Sequence, residues 1–251
     1  MANSATGDSA VDRLVRILET FGAERTVQTA AQIGRRAGLP SSTAHRQVDA
    51  LVEAGLLERD DEHRVRLGMR LWELALRGSA ALRLRQAALP HMERVQSAVR
   101  EHTQLAVLEQ DEALFLERLS HPDAGANITR VAGRLPLHAS SSGLVLLAFG
   151  PVELRERVLA GPLARLAPDT ITDAAALRRA LSDARRLGYV VAPGSIEAVS
   201  TGVAVPIHGE TGEVTAALSV VLPRDAATDG AVVALLGAAT EIARTLAADR
   251  R

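Results

Sequence analysis

The feature that most constrains this chain is the stretch GLPSSTAHRQVDALVEAGLLERDDEHRVRLG at residues 38–68, punctuated by Gly38, Gly55 and Gly68. Between the first two glycines, Ala44, Val48, Leu51 and Val52 recur at helical spacing, which predicts a helix with one buried face. Between the last two, LLER and HRVRLG alternate around an acidic turn at residues 60–62, which predicts a two-stranded hairpin. Two helices precede this pair. SAVDRLVRILETFG places Val11, Leu14, Val15, Leu18 and Phe21 on one face and ends at Gly22. TAAQIGRRAG has Thr29 as a fitting N-cap and Gly38 as a fitting stop. Leu39 and Pro40 form the next turn, and Ser41 is placed to cap the third helix.

The phase of that third helix decides what it shows to solvent. With Ala44 inward, Ser42, Arg46, Asp49 and Glu53 lie opposite. The outer face is polar and basic for two turns and acidic afterwards, so only the N-terminal half suits close approach to a polyanion. Ser41, Ser42 and Thr43 are small hydroxyls beside a helix N-terminus, matched to phosphate. Arg46 can fork onto a guanine edge, and His45 can reach a base or phosphate from the flank. The hairpin adds Arg59, Arg64 and Arg66, with Arg64 and Arg66 on one face and Val65 and Leu67 on the other. Arg35 and Arg36 sit on the second helix, where a helix-turn-helix crosses the DNA backbone. Together these read as a winged helix-turn-helix that binds double-stranded DNA. The alternative is a protein-interaction module whose arginines are merely solvated.

Charge does not decide between them. The 251 residues carry a net charge of −1, and residues 1–70 hold ten Arg against ten Asp or Glu. DNA binding must therefore rest on local placement and on paired heads rather than on a basic field. There are no cysteines, and all 29 basic residues are arginine. That excludes disulfides, thiolate nucleophiles, Cys-based zinc sites, Schiff-base lysines and the P-loop lysine. No signal peptide is read at the N-terminus, and no apolar run approaches a membrane span. A cytoplasmic protein without membrane, cofactor or metal is expected.

After Gly68 the stretch MRLWELALRGSAALRLRQAALPHMERVQSAVREH is helical, with interruptions expected near Gly78 and Ser79 and again near Pro90. Beyond residue 103, TQLAVLEQ, ALFLERL, ANITRVAG, YVVA, TGVAVPIH and EVTAALSVVL read as strands. SSSGLVLLAFG, PVELRERVLAG, DAAALRRALSDARRLG and a segment from about Asp229 to Ala248 read as helices. Alternation of this kind predicts an α+β sheet domain packed on helices. A hydrolase reading of Ser140, Ser141 and Ser142 near His138 lacks the Gly-x-Ser-x-Gly elbow. The seven histidines show no His-x-x-x-His pair, so no catalytic site is assigned.

The order of segments resembles the IclR family of bacterial transcriptional regulators. GLPSSTAHRQVDALVEAGLLERD with HRVRLGMRLWELA is similar to the family's N-terminal domain. GRLPLHASSSGLVLLA, TITDAAALRRALSDARRLGY and GVAVPIHGETGEVTAALSV are similar to successive parts of its second domain, and the likeness spans residues 9–246. It implies a winged helix-turn-helix over residues 8–69, a linker helix over 70–90 and a GAF-like effector-binding domain over 91–249. It further implies homodimers or tetramers on a palindromic operator, and a repressor governed by a small effector.

In relatives, small carboxylates or aromatic acids sit near segments corresponding to residues 139–143, 192–202 and 217–221. Ser141 and Ser142 match a small pair whose backbone contacts the ligand, and Ser219 matches a ligand-binding hydroxyl. Three positions depart from a keto-acid pattern. Ala192 replaces an acidic residue, Gly202 a cysteine, and Val221 a serine; Leu144 also stands where lysine is common. The loss of polar contacts implies a larger or less polar effector, such as an aromatic or aliphatic acid or a lactone. The run ASSSG also reads simply as a helix cap with a small-residue packing contact.

Overall fold

The computed structural model describes residues 9–248 except 23, 78 and 126. The chain divides into two compact units between Ser79 and Ala80. The expected domain limits at residues 8 and 249, and the helix interruption expected at Gly78, lie outside the described residues.

The first unit opens with helix α1 (Ala10–Glu19), closed at its start by a reciprocal capping box of Ser9 and Asp12. Its inward stripe is not the expected one. Ile17 is fully buried, with Leu14, Leu18 and Phe21 packed beside it, while Val11 and Val15 are exposed. Leu14, Ile17, Leu18 and Phe21 form an i, i+3, i+4, i+7 set, a tighter stripe than one drawn through the two valines. Helix α2 (Ala30–Ala37) has the capping box of Thr29 and Gln32 and stops at Gly38, whose φ is +64°. Gly34 lets α2 meet the next helix: a Cβ there would lie 2.8 Å from the Ala44 Cβ.

Helix α3 (Ser41–Glu53) buries Ala44, Val48 and Leu51, with Gln47 also inward and Val52 half-buried. Ser41 is not its cap. Pro40 takes the N-cap position without a side-chain bond, and its carbonyl accepts from the Ala44 N–H at 2.9 Å. Ser41 thus starts the helix with its side chain exposed.

The hairpin pairs β1 (Leu57–Arg59) with β2 (Val65–Leu67). Val65 is fully buried because Gln28 clamps it through two backbone bonds of 2.6 and 2.9 Å. Gln28 is itself buried, donating to the Thr20 carbonyl and hydroxyl at 3.1 Å. Leu67, expected to share the buried face, is exposed and lies outside that core. Helix α4 (Met69–Leu76) follows with no buried residue.

The second unit is a six-stranded antiparallel sheet between two helical layers. Helix α5 (Ala80–Val99) runs through Pro90 without a break. Pro90 faces solvent, where the carbonyl it leaves unbonded can be hydrated, while Ala87, Ala88, Met92 and Val95 are held in the core. The boundary expected after residue 90 therefore falls inside one continuous helix.

The strands are β3 (His102–Glu109), β4 (Glu112–Leu119), β5 (Arg134–Pro136), β6 (Val190–Pro193), β7 (Ser200–His208) and β8 (Val214–Pro223), in the order β5-β4-β3-β8-β7-β6. Helices α6 (Ser141–Phe149), α7 (Val152–Ala160) and α8 (Ala174–Leu187) cover one face; α5 and α9 (Asp229–Ala248) cover the other. Strand alternation sends Leu105, Val203, Val205, Leu218 and Val220 towards α5 and α9, and Ala106, Ala204 and Ala217 towards α6.

Two further expectations change here. Residues 127–133 are not a strand. The carbonyls of Asn127 and Thr129 accept from the Arg118 guanidinium instead of from a neighbouring strand. Helix α9, whose apolar window has a mean hydropathy of 1.5, is long and apolar enough to cross a membrane. In this fold it packs on α5 and β7, with Leu235 and Ile242 fully buried.

The close approach of α2 and α3 is testable. Gly34→Ala forces a methyl group into the Ala44 side chain and should lower the unfolding free energy of the first unit by about 1–3 kcal/mol, read from urea denaturation followed by circular dichroism. An unchanged midpoint would contradict the contact.

Candidate functional site

The outer face of α3 carries the expected residues. Ser41, Ser42, His45, Arg46, Asp49 and Glu53 are exposed, and Thr43 is half-buried. Because Ala44, Gln47, Val48 and Leu51 fill the opposite side, the exposed stripe follows from helical phase alone. Arg35 and Arg46 point to solvent and engage no carboxylate among the described residues.

The remaining arginines are already engaged. Arg36 donates to the Gln28 carboxamide oxygen. Arg59 pairs with Asp49 of α3, tying the hairpin to the helix it follows. Arg64 reaches Asp60 at 2.9 Å and Glu62 at 3.1 Å, and Arg66 reaches Glu58 at 3.0 Å across the hairpin. Glu58 does two jobs, since it also accepts the Met69 N–H at 3.0 Å at the start of α4. That backbone bond, with the Arg66 guanidinium second, holds the Glu58 carboxyl below the usual carboxylate range. A lowered folded pKa means both bonds are present above the ordinary glutamate value and are lost as pH falls through the lowered one. Asp60 is also lowered: desolvation opposes the shift, but the backbone N–H and guanidinium of Arg64 outweigh it. Exposed ion pairs of this kind exchange partners readily in water.

The second unit holds a small cavity of about 30 Å³ between the N-terminus of α6 and the sheet, room for about one or two waters. Five of the six residues marked in this domain line it: Ser141, Ser142, Ala192, Gly202 and Val221. Ser219 does not reach the wall but lies just beneath, accepting from the Ser142 hydroxyl at 2.9 Å. Gly202 is where the helix meets the sheet. A Cβ there would come within 2.6 Å of the Ser141 hydroxyl. Leu144, at the position where lysine is common, is buried in the core beneath α6.

Sequence reasoning missed Gln104, Phe115 and Asn127 on the cavity wall, while Ile196 and Glu197, also on the wall, fall within the expected segment 192–202 without having been singled out. Gln104 left a trace, being the polar residue on the inward phase of TQLAV. Asn127 lay in a segment misread as a strand, and the turn at 194–199 has no periodicity to read.

Among the described residues, His138 makes no hydrogen bond to Ser140, Ser141 or Ser142. His138 bonds the Ala164 carbonyl at 2.9 Å. The Ser140 hydroxyl instead accepts from the Gly143 N–H, and that of Ser142 donates to Ser219. No group of three metal-ligating side chains occurs among the described residues.

A winged three-helix head and a sheet domain with a polar cavity under a helix N-terminus define a ligand-responsive DNA-binding regulator. Residues 10–61 match the IclR helix-turn-helix domain, and residues 79–248 match the family described as bacterial transcriptional regulator IclR C-terminal. The chain belongs to the IclR family, and it is a DNA-binding transcriptional regulator with a C-terminal ligand-binding domain. It is similar to a solved IclR homolog from Microbacterium hydrocarbonoxydans complexed with 4-hydroxybenzoate, at 64% identity and a TM-score of 0.92, covering 96% of this chain and 100% of that one. It is 30% identical to the regulator BhcR of Paracoccus denitrificans over 98% of this chain and 88% of that one. The Pca regulon regulatory protein of Pseudomonas putida is 28% identical over 86% and 76%.

The carboxylates around Arg64 can be removed without disturbing the turn. In Asp60→Asn with Glu62→Gln, the amide oxygen of residue 60 can still accept the backbone N–H groups of residues 62 and 64, while Arg64 is released. Non-specific DNA affinity should rise, and, because Arg64 would take a phosphate with or without its carboxylates, the slope of log K against log salt should change by less than one contact, about 0.9. Fluorescence anisotropy at several salt concentrations measures both.

Proposed function

We propose that the protein is a homo-oligomeric repressor, working in the cytoplasm and not as an enzyme, that reads a palindromic operator and responds to a hydroxylated aromatic acid such as 4-hydroxybenzoate. The observation that carries the effector is the 4-hydroxybenzoate complex of the Microbacterium homolog, similar to this chain at 64% identity. The chemistry of the cavity agrees. Phe115, Leu135 and Ile196 offer apolar walls for a ring, and Gln104, Asn127 and the start of α6 offer polar groups for its ends. The departures at Ala192, Gly202 and Val221 favour this over a two- or three-carbon acid. A ring needs more room than about 30 Å³, so binding displaces part of the wall.

On DNA, the N-terminal half of α3 enters the major groove, as recognition helices do. Arg46 contacts a base edge, with Ser41, Ser42, Thr43 and His45 on the adjoining backbone. Arg35 and Arg36 lie along a phosphate strand. Arg59, Arg64 and Arg66 of the wing exchange their carboxylates for phosphates when DNA arrives. Two copies read two half-sites, since the symmetry of a homodimer is mirrored in its operator. The effector alters operator affinity in proportion to its differential affinity for the DNA-competent form.

The test is selection of genomic fragments at about 150 mM salt, where non-specific contacts are weak, with wild type and Arg46→Ala side by side, each with and without 4-hydroxybenzoate. The expected result is a palindromic site enriched by wild type, lost or weakened by about 1–3 kcal/mol in Arg46→Ala, and changed in occupancy by the acid. Retention that is equal in wild type and mutant would refute base reading by Arg46. Occupancy indifferent to the acid would refute the effector.

A further inference from the structure

We infer that Gln104 reads the carboxylate of the effector, as the side-chain donor of a site that holds an anion without a cation. This rests on the cavity beneath α6 being the effector site.

Gln104 stands on β3 opposite Ser219 of β8 and is only 3% exposed. Its orientation follows from a chain of hydroxyls. Ser142 donates to Ser219 at 2.9 Å, and Ser219 donates to the Gln104 carboxamide oxygen at 3.4 Å. With the chain running in this direction, each hydroxyl giving its one proton onward, the amide oxygen is the accepting end. The Nε2 group is then the free end, and it is buried without a partner on a residue that lines the cavity. A buried amide N–H without an acceptor is costly, and native structures seldom keep one without use. Asn127 repeats the pattern on the same wall. Its oxygen accepts the Thr129 N–H at 2.8 Å, leaving a buried Nδ2 without a partner.

The start of α6 faces the same space. The Ser140 hydroxyl takes the Gly143 N–H at 3.0 Å, and the Ser140 carbonyl takes that of Leu144 at 2.8 Å. The N–H groups of Ser141 and Ser142 are left for a ligand, at the positive end of the helix. Among the described lining residues none is basic, and the one charged side chain is the carboxylate of Glu197. An anion here is therefore held by neutral amide donors and a helix end. Gln104 brings a donor from the sheet to meet the two from the helix.

The experiment is calorimetric titration of the full-length protein with 4-hydroxybenzoate and with its methyl ester, for wild type, Gln104→Met and Gln104→Glu. Gln104→Met matches the volume but removes the unpaired N–H. It also removes the weak 3.4 Å acceptor of the Ser219 hydroxyl, so its melting temperature without ligand should stay close to that of wild type, while affinity for the acid falls about tenfold or more and affinity for the ester far less. Gln104→Glu keeps the shape and sets a second carboxylate against the first, so the acid should bind still more weakly at neutral pH than at pH 5, with the ester again little affected. If Gln104→Met binds the acid as wild type does, or loses acid and ester equally, the assignment of Gln104 is overturned while the cavity remains the effector site. If wild type binds no acid at all, the cavity reading fails and this inference with it.

Discussion

The second unit depends on how closely α6 lies on the sheet. Residues 141–148 of that helix are all buried, so it carries no polar stripe and is held from every side. Two glycines permit this. Gly202 of β7 leaves space for the Ser141 side chain, and a Cβ on Gly143 would stand 2.7 Å from the Leu137 backbone. With the helix seated at this depth, Ser142 reaches Ser219, Ser219 reaches Gln104, and the free end of the helix opens on the cavity. Lift α6 by the thickness of a methyl group and the hydroxyl chain parts. The fold and the polar lining are thus products of the same close packing.

The first unit adds buried polar and surface ionic pairing to its apolar core. Gln28 joins Thr20, Val65 and Arg36 in one set of bonds, fastening the hairpin to the loop that follows α1. Asp49 and Glu58 extend that fastening to α3 and α4 through Arg59, Arg66 and Met69. Of the arginines that a reader of the sequence assigns to DNA, Arg36, Arg59, Arg64 and Arg66 are struts of the domain that presents them.

Much of this was legible in the residues because periodicity encodes which face is buried. The third helix, the hairpin and most strands follow from spacing, and the ends of the second helix from Thr29 and Gly38. What was not legible turned on partners distant in sequence. Val11 and Val15 look inward until Ile17 is seen to take the centre of the core. Residues 127–133 have the composition of a strand, yet Arg118 claims their carbonyls. Pro90 signals a break that packing on both sides of it overrides. In the cavity, Ser141, Ser142, Gly202 and Val221 follow from family likeness, whereas Gln104 and Asn127, each with a buried unpaired N–H, are brought to one wall only by the fold. Pairing of the wing arginines was hidden for a similar reason: Asp49 and Arg59 lie on different elements, and only the fold brings them together.

The self-neutralised wing bears on how such a protein finds its target among a vast excess of random sequence. Under the proposed DNA-binding mode, each hairpin arginine would exchange a carboxylate for a phosphate, so the wing would add less to non-specific affinity than unpaired arginines would. Discrimination between operator and random sequence would then fall mainly to the base contacts of the N-terminal half of α3.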